Sequence, residues 1–511
     1  MIARLRLFAP LVLMASWPFV NFANFNAADV VNFAVVLTYG LIFNAVMVVA
    51  ALGAMAILRR QPAARVVNTL AVAGFVFFTF GAVNSLIQEV FDLGRFRYAL
   101  ALWGLIWIAV TGLAWHLSTA RHSTTILSLA AGAAVLVPAF ELAQHFAQRQ
   151  EAGPPPTVTA SAAGAAKANV YFVVFDEYGR ADQLLDAFGF DVKPFQDALR
   201  SQGFKIVARS NANIPMTHLS LTTTLAMDYA VPVGPGALDG FYGYKLRLRG
   251  NNEVVRRFRA LGYRYVHAQP GRWEGSRCGG GEDLCIKGAT PHAFNETEIA
   301  LLRMTPLLPV AWKLFPNSLK YGRIQFPDVV ARLKDFPAPP YFLYAHLLQP
   351  HDLQFAADCS PYPNPRGLTL RDHPWGTVTE AGKPAYVATI TCVNRQILKG
   401  VEAIVRADPE AIIVLQADHG FALDDTFTKP LADWNETEFN RRFGVFNAMR
   451  LPPRCRSALH ETLSLVNTFR VVLACLEGRQ ADLLPDRSYV SKYNNPDILP
   501  LAKFPKNPRS R

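Results

Sequence analysis

Acidic and imidazole side chains stand at the ends of three short apolar runs in the sequence. They are Asp176 and Glu177 after the run 170–175, His346 and His351 at and beyond the end of the run 341–346, and Asp418 and His419 after the run 411–416. Carboxylate oxygens combined with imidazole nitrogens suit zinc or manganese better than calcium or magnesium, which prefer oxygen ligands. These residue types predict a divalent metal site, with zinc or manganese favoured and calcium or magnesium left open.

The sequence also contains a hydroxyl group, that of Thr217, which such a metal could activate. Thr217 follows a loop that ends in Pro215 and begins a stretch typical of a helix. At a helix N-terminus, side-chain oxygen and free backbone N–H groups face outward, and they attract phosphate or sulfate. Metal coordination lowers the pKa of a hydroxyl enough to make it a nucleophile. We therefore predict that Thr217 is both nucleophile and metal ligand, with a plain helix cap as the alternative.

Further residues are candidates for contact with a substrate. His351 lies in a loop, where a polar role is favoured, and is expected to be catalytic. The candidates for substrate binding are His346, Ser220, Arg272 and Trp273. A hydrogen-bonded place inside the strand is the alternative for His346, and a surface turn is the alternative for Arg272 and Trp273.

The apolar runs have the length and composition of buried strands in an α/β domain. Candidate strands are 170–175, 204–208, 263–268, 341–346, 411–416 and 445–450, and candidate helices are 193–201, 252–261, 386–406 and 467–477. Their alternation predicts a mostly parallel central sheet within residues 168–511. Ligands bind such sheets at the carboxyl ends of the strands. The acidic and imidazole residues are therefore expected to meet at one edge.

The first 149 residues have a different composition. They contain no Lys, and five apolar segments of about 20 residues, the length that crosses a bilayer, lie at roughly 7–23, 32–57, 66–90, 98–118 and 124–146. We predict a bundle of about five transmembrane helices, with a cleaved signal peptide as the alternative for the first segment alone. Residues 150–167, rich in Pro, Ala, Gly and Ser, are predicted to be a linker.

Arginine positions predict the orientation of these segments. With the N-terminus in the cytoplasm, six arginines flanking the spans lie inside (Arg4, Arg6, Arg59, Arg60, Arg65 and Arg121) and three lie outside (Arg95, Arg97 and Arg149). That excess fits the positive-inside rule and puts everything after residue 150 on the outer side. The short loops and the Ala- and Arg-rich composition look bacterial, so we expect a multi-pass protein of the inner membrane with a periplasmic catalytic domain. The net charge of +12 suggests anionic partners, but no motif for nucleic acid occurs.

The cysteines agree with export. All six follow residue 167, and an even count in an exported domain indicates disulfides. Cys278 and Cys285 are close enough in sequence to form a local pair. Pairing Cys359 with Cys392, and Cys455 with Cys475, is one of the 15 connectivities that six cysteines allow.

Taken in order, the motifs resemble those of the alkaline-phosphatase/sulfatase superfamily. The resemblance runs from about residue 169 to 490 and is closer to the membrane-anchored branch, which contains lipoteichoic-acid synthases and lipid A phosphoethanolamine transferases. The segment 173–182 looks like the first strand and metal carboxylate of the family. The spacing of the phosphoethanolamine transferases favours Glu177 as ligand, whereas the sulfatase pattern admits Asp176 too. Both stay open.

The other motifs imply roles residue by residue. Thr217 with Ser220 three positions later is similar to the family's nucleophile segment, which implies that Thr217 is transiently phosphorylated. Asp418 and His419 resemble the second pair of metal ligands. The spacing of His346 and His351 resembles the substrate-side segment, which implies that His351 contacts the transferred group or a second metal.

The sequence also departs from the family. The phosphoethanolamine transferases carry another His some way after the Asp-His-Gly motif and a Cys close to the nucleophile. In this sequence the ten residues after Gly420 contain no His, and no Cys lies near Thr217. These differences favour one metal over two and weigh against lipid A as the substrate. A formylglycine sulfatase is not expected either, because no Cys/Ser-x-Pro-x-Arg motif is present.

The resemblance implies a metal-dependent transferase. Its expected reaction moves a phosphoethanolamine or phosphoglycerol headgroup from a phospholipid donor to an envelope glycan or lipid through a phospho-Thr intermediate. A phosphoester or sulfate-ester hydrolase of the same superfamily is the first alternative. A catalytically inactive membrane scaffold is the second.

Overall fold

The computed structural model describes most of the chain. The described residues are 2–30, 32–91, 96–148, 168–271, 273–288, 294–315, 324–351, 355–360, 377–423, 426–427, 429–492 and 495–501. They divide into two compact units, which fall within Met1–Glu151 plus His292–Tyr321 and within Ala152–Pro291 plus Gly322–Arg511. The predicted linker 150–167 and Arg272 lie outside the described residues. We call the two units the membrane unit and the catalytic unit.

Among the described residues before 149, the membrane unit contains six helices. They are α1 (Ile2–Phe25), α2 (Phe33–Ile57), α3 (Ala63–Phe77), α4 (Phe80–Phe91), α5 (Phe96–Leu117) and α6 (Ser123–Gln148). Four of them, α1, α2, α5 and α6, are long and apolar enough to cross a membrane, and α3 with α4, a pair bent by 43°, makes a fifth span only if the pair is counted as one. The predicted transmembrane bundle is confirmed with four spans, or five when the bent pair is counted as one, and α1 packs against α2, α3 and α6.

A later stretch of the chain belongs to the same unit. Residues 294–315 form the helices Glu296–Arg303 and Leu308–Leu314, and the first of these packs against α2. A capping box formed by Asn295 and Glu298 begins the first helix. The predicted catalytic range 168–511 is therefore interrupted by a segment that packs with the membrane-spanning helices.

The catalytic unit is built around a seven-stranded sheet. Its strands and those of two small sheets are β1 (Val170–Phe175), β2 (Lys205–Ile206), β3 (Arg264–Ala268), β4 (Leu284–Ile286), β5 (Tyr341–Leu347), β6 (Thr377–Val378), β7 (Ile412–Gln416), β8 (Ala422–Leu423), β9 (Asn447–Arg450), β10 (Tyr489–Ser491) and β11 (Ile498–Pro500). The main sheet has the order β2-β9-β7-β1-β5-β3-β4. The strands β7, β1, β5, β3 and β4 pair in parallel, whereas β9 is antiparallel to both neighbours. The predicted, mostly parallel sheet is confirmed.

Helices cover both faces of this sheet, as the apolar strands require. In β1 the alternate residues Tyr171, Val173 and Phe175 enter one core, while Val170, Phe172 and Val174 enter the other. The helices of the unit are Ala181–Phe188, Lys193–Ser201, Thr217–Ala226, Tyr242–Leu248, Glu253–Ala260, Phe326–Val330, Lys383–Ala407, Glu436–Phe443 and Thr468–Leu476.

Most predicted elements of the catalytic unit occur within two or three residues of their predicted bounds. The helix predicted at 386–406 is longer, at Lys383–Ala407, whereas the strand predicted at 204–208 is reduced to Lys205–Ile206, which is β2. This edge strand is short because the chain then turns away, and the N–H of Arg209 donates to the carbonyl oxygen of Glu461.

All six cysteines form disulfides. The pairs are Cys278–Cys285, Cys359–Cys392 and Cys455–Cys475, and each links residues of the catalytic unit. The pairing considered from the sequence is confirmed.

Candidate metal centre

Three adjacent strands deliver the acidic and imidazole residues to one place. The strands β7, β1 and β5 are neighbours at the middle of the sheet, and Val174 in β1 is level with Gln416 on one side and His346 on the other. Asp176 therefore leaves β1 between the ends of β7 and β5. The order and register of the strands therefore agree with the expectation that these residues lie together at the carboxyl edge of the sheet.

The side chains converge at the distances of a metal site. One atom each from Asp176, His346 and Asp418 lies within 4.8 Å of the others, and all three residues are buried. His346 Nε2 is 3.6 Å from one Asp176 oxygen, and His419 Nε2 is 3.7 Å from the other. His419 Nε2 is also 3.3 Å from Asp418 Oδ2. Asp176, His346 and Asp418 thus form a group that could hold a metal ion, and the His419 imidazole lies beside both carboxylates.

Burial disfavours the charged forms of Asp418, His346 and His419. It raises the pKa of Asp418 to about 7, and the negative charge of Asp176 adds to this rise. It lowers the pKa of His346 to about 4. It also holds the pKa of His419 well below its usual value, and the positive charge of Arg442 lowers this pKa further. The imidazoles are therefore neutral, and they cannot supply the positive charge that two adjacent carboxylates need.

The residues fit a divalent cation. His346 Nε2 and Asp418 Oδ2 are buried and have no hydrogen-bond partner among the described residues. An unsatisfied buried polar atom is costly and requires an explanation, and a metal ion between these atoms would provide one. Two carboxylate oxygens and the His346 nitrogen, with the His419 nitrogen beside them, are donor types that zinc accepts.

Glu177 turns away from this point. Its carboxylate accepts a hydrogen bond from Arg442 at 3.2 Å, and both side chains are only 1% exposed. The backbone of Glu177 has a φ of 65°, the left-handed region that non-glycine residues seldom adopt. Because of this turn, Asp176 and Glu177 point in different directions, and the Glu177 N–H donates to Asp418 Oδ1. Burial raises the pKa of Glu177 well above its usual value, while Arg442 opposes the rise.

Thr217 is the first residue of the helix Thr217–Ala226, after Met216 at the N-cap. Its Oγ1 lies 3.0 Å from His419 Nε2, and the residue is 6% exposed. The hydroxyl therefore reaches the cluster from a helix N-terminus, where free N–H groups favour an anion.

The proton on His419 can be assigned from its neighbours. Its Nδ1 is 3.0 Å from the carbonyl oxygen of Gly420, which can only accept a hydrogen bond. In the neutral ring Nδ1 therefore carries the hydrogen, and Nε2 presents a lone pair to Thr217 and the carboxylates. Gly420 itself is required by close packing, since a Cβ there would lie 2.0 Å from the carbonyl oxygen of Arg441.

The predicted substrate-binding residues have different surroundings. His346 belongs to the metal cluster, with its Nδ1 3.0 Å from Ser276 Oγ. Ser220 donates to the carbonyl oxygen of Asp418 at 2.6 Å, so it holds the Asp418 turn. The Trp273 ring lies 5.1 Å from that of His346. The backbone N–H of His351 donates to the carbonyl oxygen of Asp176, which brings that loop next to the cluster.

The sequence reasoning did not single out Arg442. This buried residue donates to the carbonyl oxygens of Pro215 and Gly420 and to Glu177, and its Nη2 lies 3.3 Å from His419 Nε2. It thereby joins the loop before Thr217 to both metal-side motifs. No spacing in the sequence indicates this role, because its partners lie between 22 and 265 positions away.

A second cluster does not have the chemistry of a metal site. His267, Cys278 and Glu282 also lie close together. Cys278 is bonded to Cys285, however, so its sulfur is not a thiolate ligand. Glu282 accepts hydrogen bonds from the N–H groups of Gly279 and Gly280.

Comparison with known proteins gives a likeness of fold. No protein-family profile and no curated protein matches the chain. The chain is similar to the C-terminal periplasmic domain of EcEptC from Escherichia coli in complex with Zn, at 12% identity and a TM-score of 0.42 over 66% of this chain and 93% of that one. It is also similar to the integral membrane protein lipooligosaccharide phosphoethanolamine transferase A from Neisseria meningitidis, at 14% identity and a TM-score of 0.41 over 94% and 96% of the two chains. A third similar structure is the phosphonate monoester hydrolase of Agrobacterium radiobacter, at 14% identity and a TM-score of 0.36 over 63% and 80%.

Proposed function

We propose that this chain is a metal-dependent transferase that moves a phosphorylated headgroup from a membrane lipid to an envelope glycan or lipid. One observation carries the proposal: the Thr217 hydroxyl lies at a helix N-terminus and 3.0 Å from His419 Nε2, at the rim of a buried carboxylate and imidazole cluster. The membrane unit supports a lipid donor, because it anchors the catalytic unit to the surface that contains the lipid. The catalytic unit would then work in the periplasm.

The geometry supports a particular set of metal ligands. We assign Asp176, His346, Asp418 and His419, with the Thr217 oxygen beside them, to one divalent cation, zinc or manganese by donor type. Of the two carboxylates left open by the sequence, Asp176 is the ligand, because the Glu177 carboxylate is already bound to Arg442. When bound, the cation would lower the pKa of the Thr217 hydroxyl and polarise a phosphoryl oxygen.

The first step forms a covalent intermediate on the chain. The Thr217 hydroxyl loses its proton and its oxygen attacks phosphorus, forming the Thr217 O–P bond. The bond between phosphorus and the diacylglycerol oxygen breaks, and diacylglycerol leaves after taking up a proton. The N–H groups at the start of Thr217–Ala226 face the developing negative charge, and His351 lies beside the same site.

The second step returns the enzyme to its starting state. A hydroxyl of the acceptor loses a proton and attacks the same phosphorus, and the Thr217 O–P bond breaks with return of a proton to Thr217. Arg442 keeps the geometry constant through both steps, because it holds Glu177, His419 and the carbonyl oxygen of Pro215 together. Trp273 covers the His346 side of the cluster.

Mass spectrometry of the intact full-length protein tests the mechanism. The protein is incubated with zinc and vesicles of phosphatidylethanolamine or phosphatidylglycerol, without acceptor, and quenched in acid. We expect a mass gain of one headgroup phosphate, located on Thr217 by peptide mapping. Thr217→Ala is expected to show no gain, whereas Thr217→Ser keeps the hydroxyl and is expected to show it.

Two comparisons make the outcome decisive. EDTA is expected to prevent the adduct, and added zinc or manganese to restore it. Headgroup that appears on an added glycan or lipid acceptor indicates transfer, whereas release of free headgroup alone indicates a hydrolase. If no adduct forms with either lipid and either metal, the covalent mechanism is wrong. If the protein also binds no metal, an inactive scaffold is the better description.

A further inference from the structure

Residues 294–315 form a membrane-side element within the sequence of the catalytic domain. The stretches before and after it, up to Pro291 and from Gly322, belong to the catalytic unit, whereas this segment belongs to the membrane unit. The chain therefore enters the membrane unit a second time and leaves it again. We call residues 294–315 the return segment.

Specific contacts hold the return segment to the membrane-spanning helices. Leu301 enters the apolar cluster formed by Phe19 and Phe22 of α1 with Phe78 at the end of α3. The carbonyl oxygen of Met304 accepts a hydrogen bond from the N–H of Gly81 at 3.3 Å. A Cβ on that glycine would lie 2.7 Å from the backbone of the segment, so the approach is close.

The depth of these contacts can be worked out from helix geometry. Counted from Arg6 at the inner end of α1, Phe19 and Phe22 lie roughly 20 and 24 Å along the helix at 1.5 Å per residue. The end of α3, counted from Ala63, lies about 21 Å along its own axis. A hydrocarbon core is about 30 Å thick, so the return segment meets the spans in the outer third of the bilayer.

One face of the second helix of the segment lacks a protein partner among the described residues of this chain. Leu307, Val310 and Leu314 are 45%, 50% and 64% exposed. Their spacing of three and four places them on one side of the helix. The opposite side is used, since Ala311 and Leu308 pack with Ile299 of the first helix. Phe315, which is 52% exposed, extends the apolar surface at the end of the helix.

We propose that this face lies in the outer leaflet of the bilayer, with Leu307, Val310 and Leu314 among the acyl chains. The bilayer is the occupant because the first helix of the segment packs on α2, a span whose Leu37 is itself 63% exposed. Lys313 is exposed beside the apolar face, where a long cationic side chain reaches anionic headgroups. The segment is thus an interfacial anchor that ties the catalytic sequence to the membrane from within.

The inference goes beyond the proposed function and holds whichever group the site transfers. It also gives residues 294–315, which interrupt the sequence of the catalytic domain, a role as a membrane anchor. The catalytic unit is joined covalently to the membrane unit through residues 149–167 and again on both sides of the return segment. Removal of the membrane spans alone would therefore leave an apolar segment in the remaining chain.

Depth-dependent quenching of a fluorescent probe tests the proposal on the full chain. Because all six native cysteines are in disulfides, one introduced cysteine provides a unique thiol. Val310→Cys and Leu314→Cys are labelled with an environment-sensitive dye and placed in nanodiscs whose lipids carry a nitroxide near the headgroup end of the acyl chain. Both positions are exposed, so labelling leaves the packed side of the helix intact.

Two positions bound the expected signal. Leu105→Cys on α5 reports a lipid-facing span, and Glu402→Cys, on a side chain 63% exposed in the catalytic unit, reports water. We expect quenching at 310 and 314 to be several-fold above that at 402 and equal to or above that at 105, with blue-shifted emission. Quenching at the level of 402 would overturn the proposal. So would protection from lipid together with dye–dye energy transfer that grows with protein density, because a second copy would then cover the face.

Discussion

Replacing Asp418 by Asn is expected to abolish metal binding and, at the same time, to stabilise the metal-free protein. The substitution removes one of two carboxylates that face each other in a buried cluster. It keeps the local hydrogen bonds, because an Asn Oδ1 accepts from the N–H groups of Glu177 and His419 as the Asp418 Oδ1 does at 3.2 and 2.9 Å. The fold around the site should therefore persist.

The size of the effect follows from the raised pKa of Asp418. The folded value is about 7, against about 3.9 for an unfolded Asp, and this difference corresponds to about 4 kcal/mol. Coulomb's law gives a similar size, since two like charges within 4.8 Å of each other repel by at least about 3.5 kcal/mol at an effective dielectric of about 20. Removal of the charge should therefore raise the free energy of unfolding of the metal-free protein by most of this amount.

The sign of the pH dependence is fixed by the direction of the shift. A carboxyl whose folded pKa is raised resists ionisation in the folded state, so the metal-free wild type loses stability as pH rises from about 4 to about 7. The Asn variant has no carboxyl group at this position and does not lose this stability. Its advantage should be near zero below pH ~4, about half its full size near pH ~5.5, and complete above pH ~7.

Thermal unfolding of the full-length protein in detergent measures these changes. After EDTA treatment, the Asn variant should unfold at a higher temperature than wild type at alkaline pH and lose this advantage in acid. Zinc should raise the midpoint of wild type, because a ligand that binds only the folded state stabilises it by about 2.7 kcal/mol at 100 times its Kd. Zinc should leave the Asn variant unchanged.

A second substitution serves as the matched control. Asp418→Ala removes the same charge but leaves the N–H groups of Glu177 and His419 without their acceptor, at a cost of about 1–3 kcal/mol for each group. The Ala variant should therefore be less stable than the Asn variant at every pH. An Asn variant that is less stable than the metal-free wild type at alkaline pH, or that responds to zinc as wild type does, would refute the reasoning.

Other substitutions test the scaffold around the site. Arg442→Met should lower the free energy of unfolding by about 3–5 kcal/mol, because it strands the buried Glu177 carboxylate, and adding Glu177→Gln should restore much of the loss. Failure of the double variant to recover would disprove the coupling. Ser220→Ala should cost about 1–3 kcal/mol through one buried hydrogen bond, seen as a lower unfolding midpoint than in Thr217→Ser. Opening the Cys359–Cys392 loop, whose ends are 33 positions apart, by replacing both cysteines with Ser should cost about 4 kcal/mol, and an unchanged midpoint would contradict it.

Local signals were sufficient for the elements that carry the site. The apolar runs before Asp176 and Asp418 are buried strands, and the run that contains His346 is the strand between β1 and β3. Strand periodicity and length are local properties, so they can be detected without knowing the partners. The same holds for the five membrane segments, whose length is set by the thickness of a bilayer.

The choice between Asp176 and Glu177 could not be made in this way. Both residues follow the same strand and have the same chemistry. The positive φ of Glu177 and the buried Arg442 separate them, and Arg442 lies 265 positions further along the chain. A contact over that distance depends on how the helix Glu436–Phe443 packs, which no local pattern contains.

The sequence by itself determined the two-part composition, the strand ends where carboxylates and imidazoles stand, and the hydroxyl at a helix N-terminus. These depend on hydrophobic periodicity and on residue type, which are local. The tertiary structure alone decided that His346 lies with Asp176 and Asp418, that Arg442 binds Glu177, and that residues 294–315 pack with the membrane-spanning helices. Each of these contacts joins groups that are far apart in the sequence. Burial and charge act on them only once the folded chain has brought the groups close together.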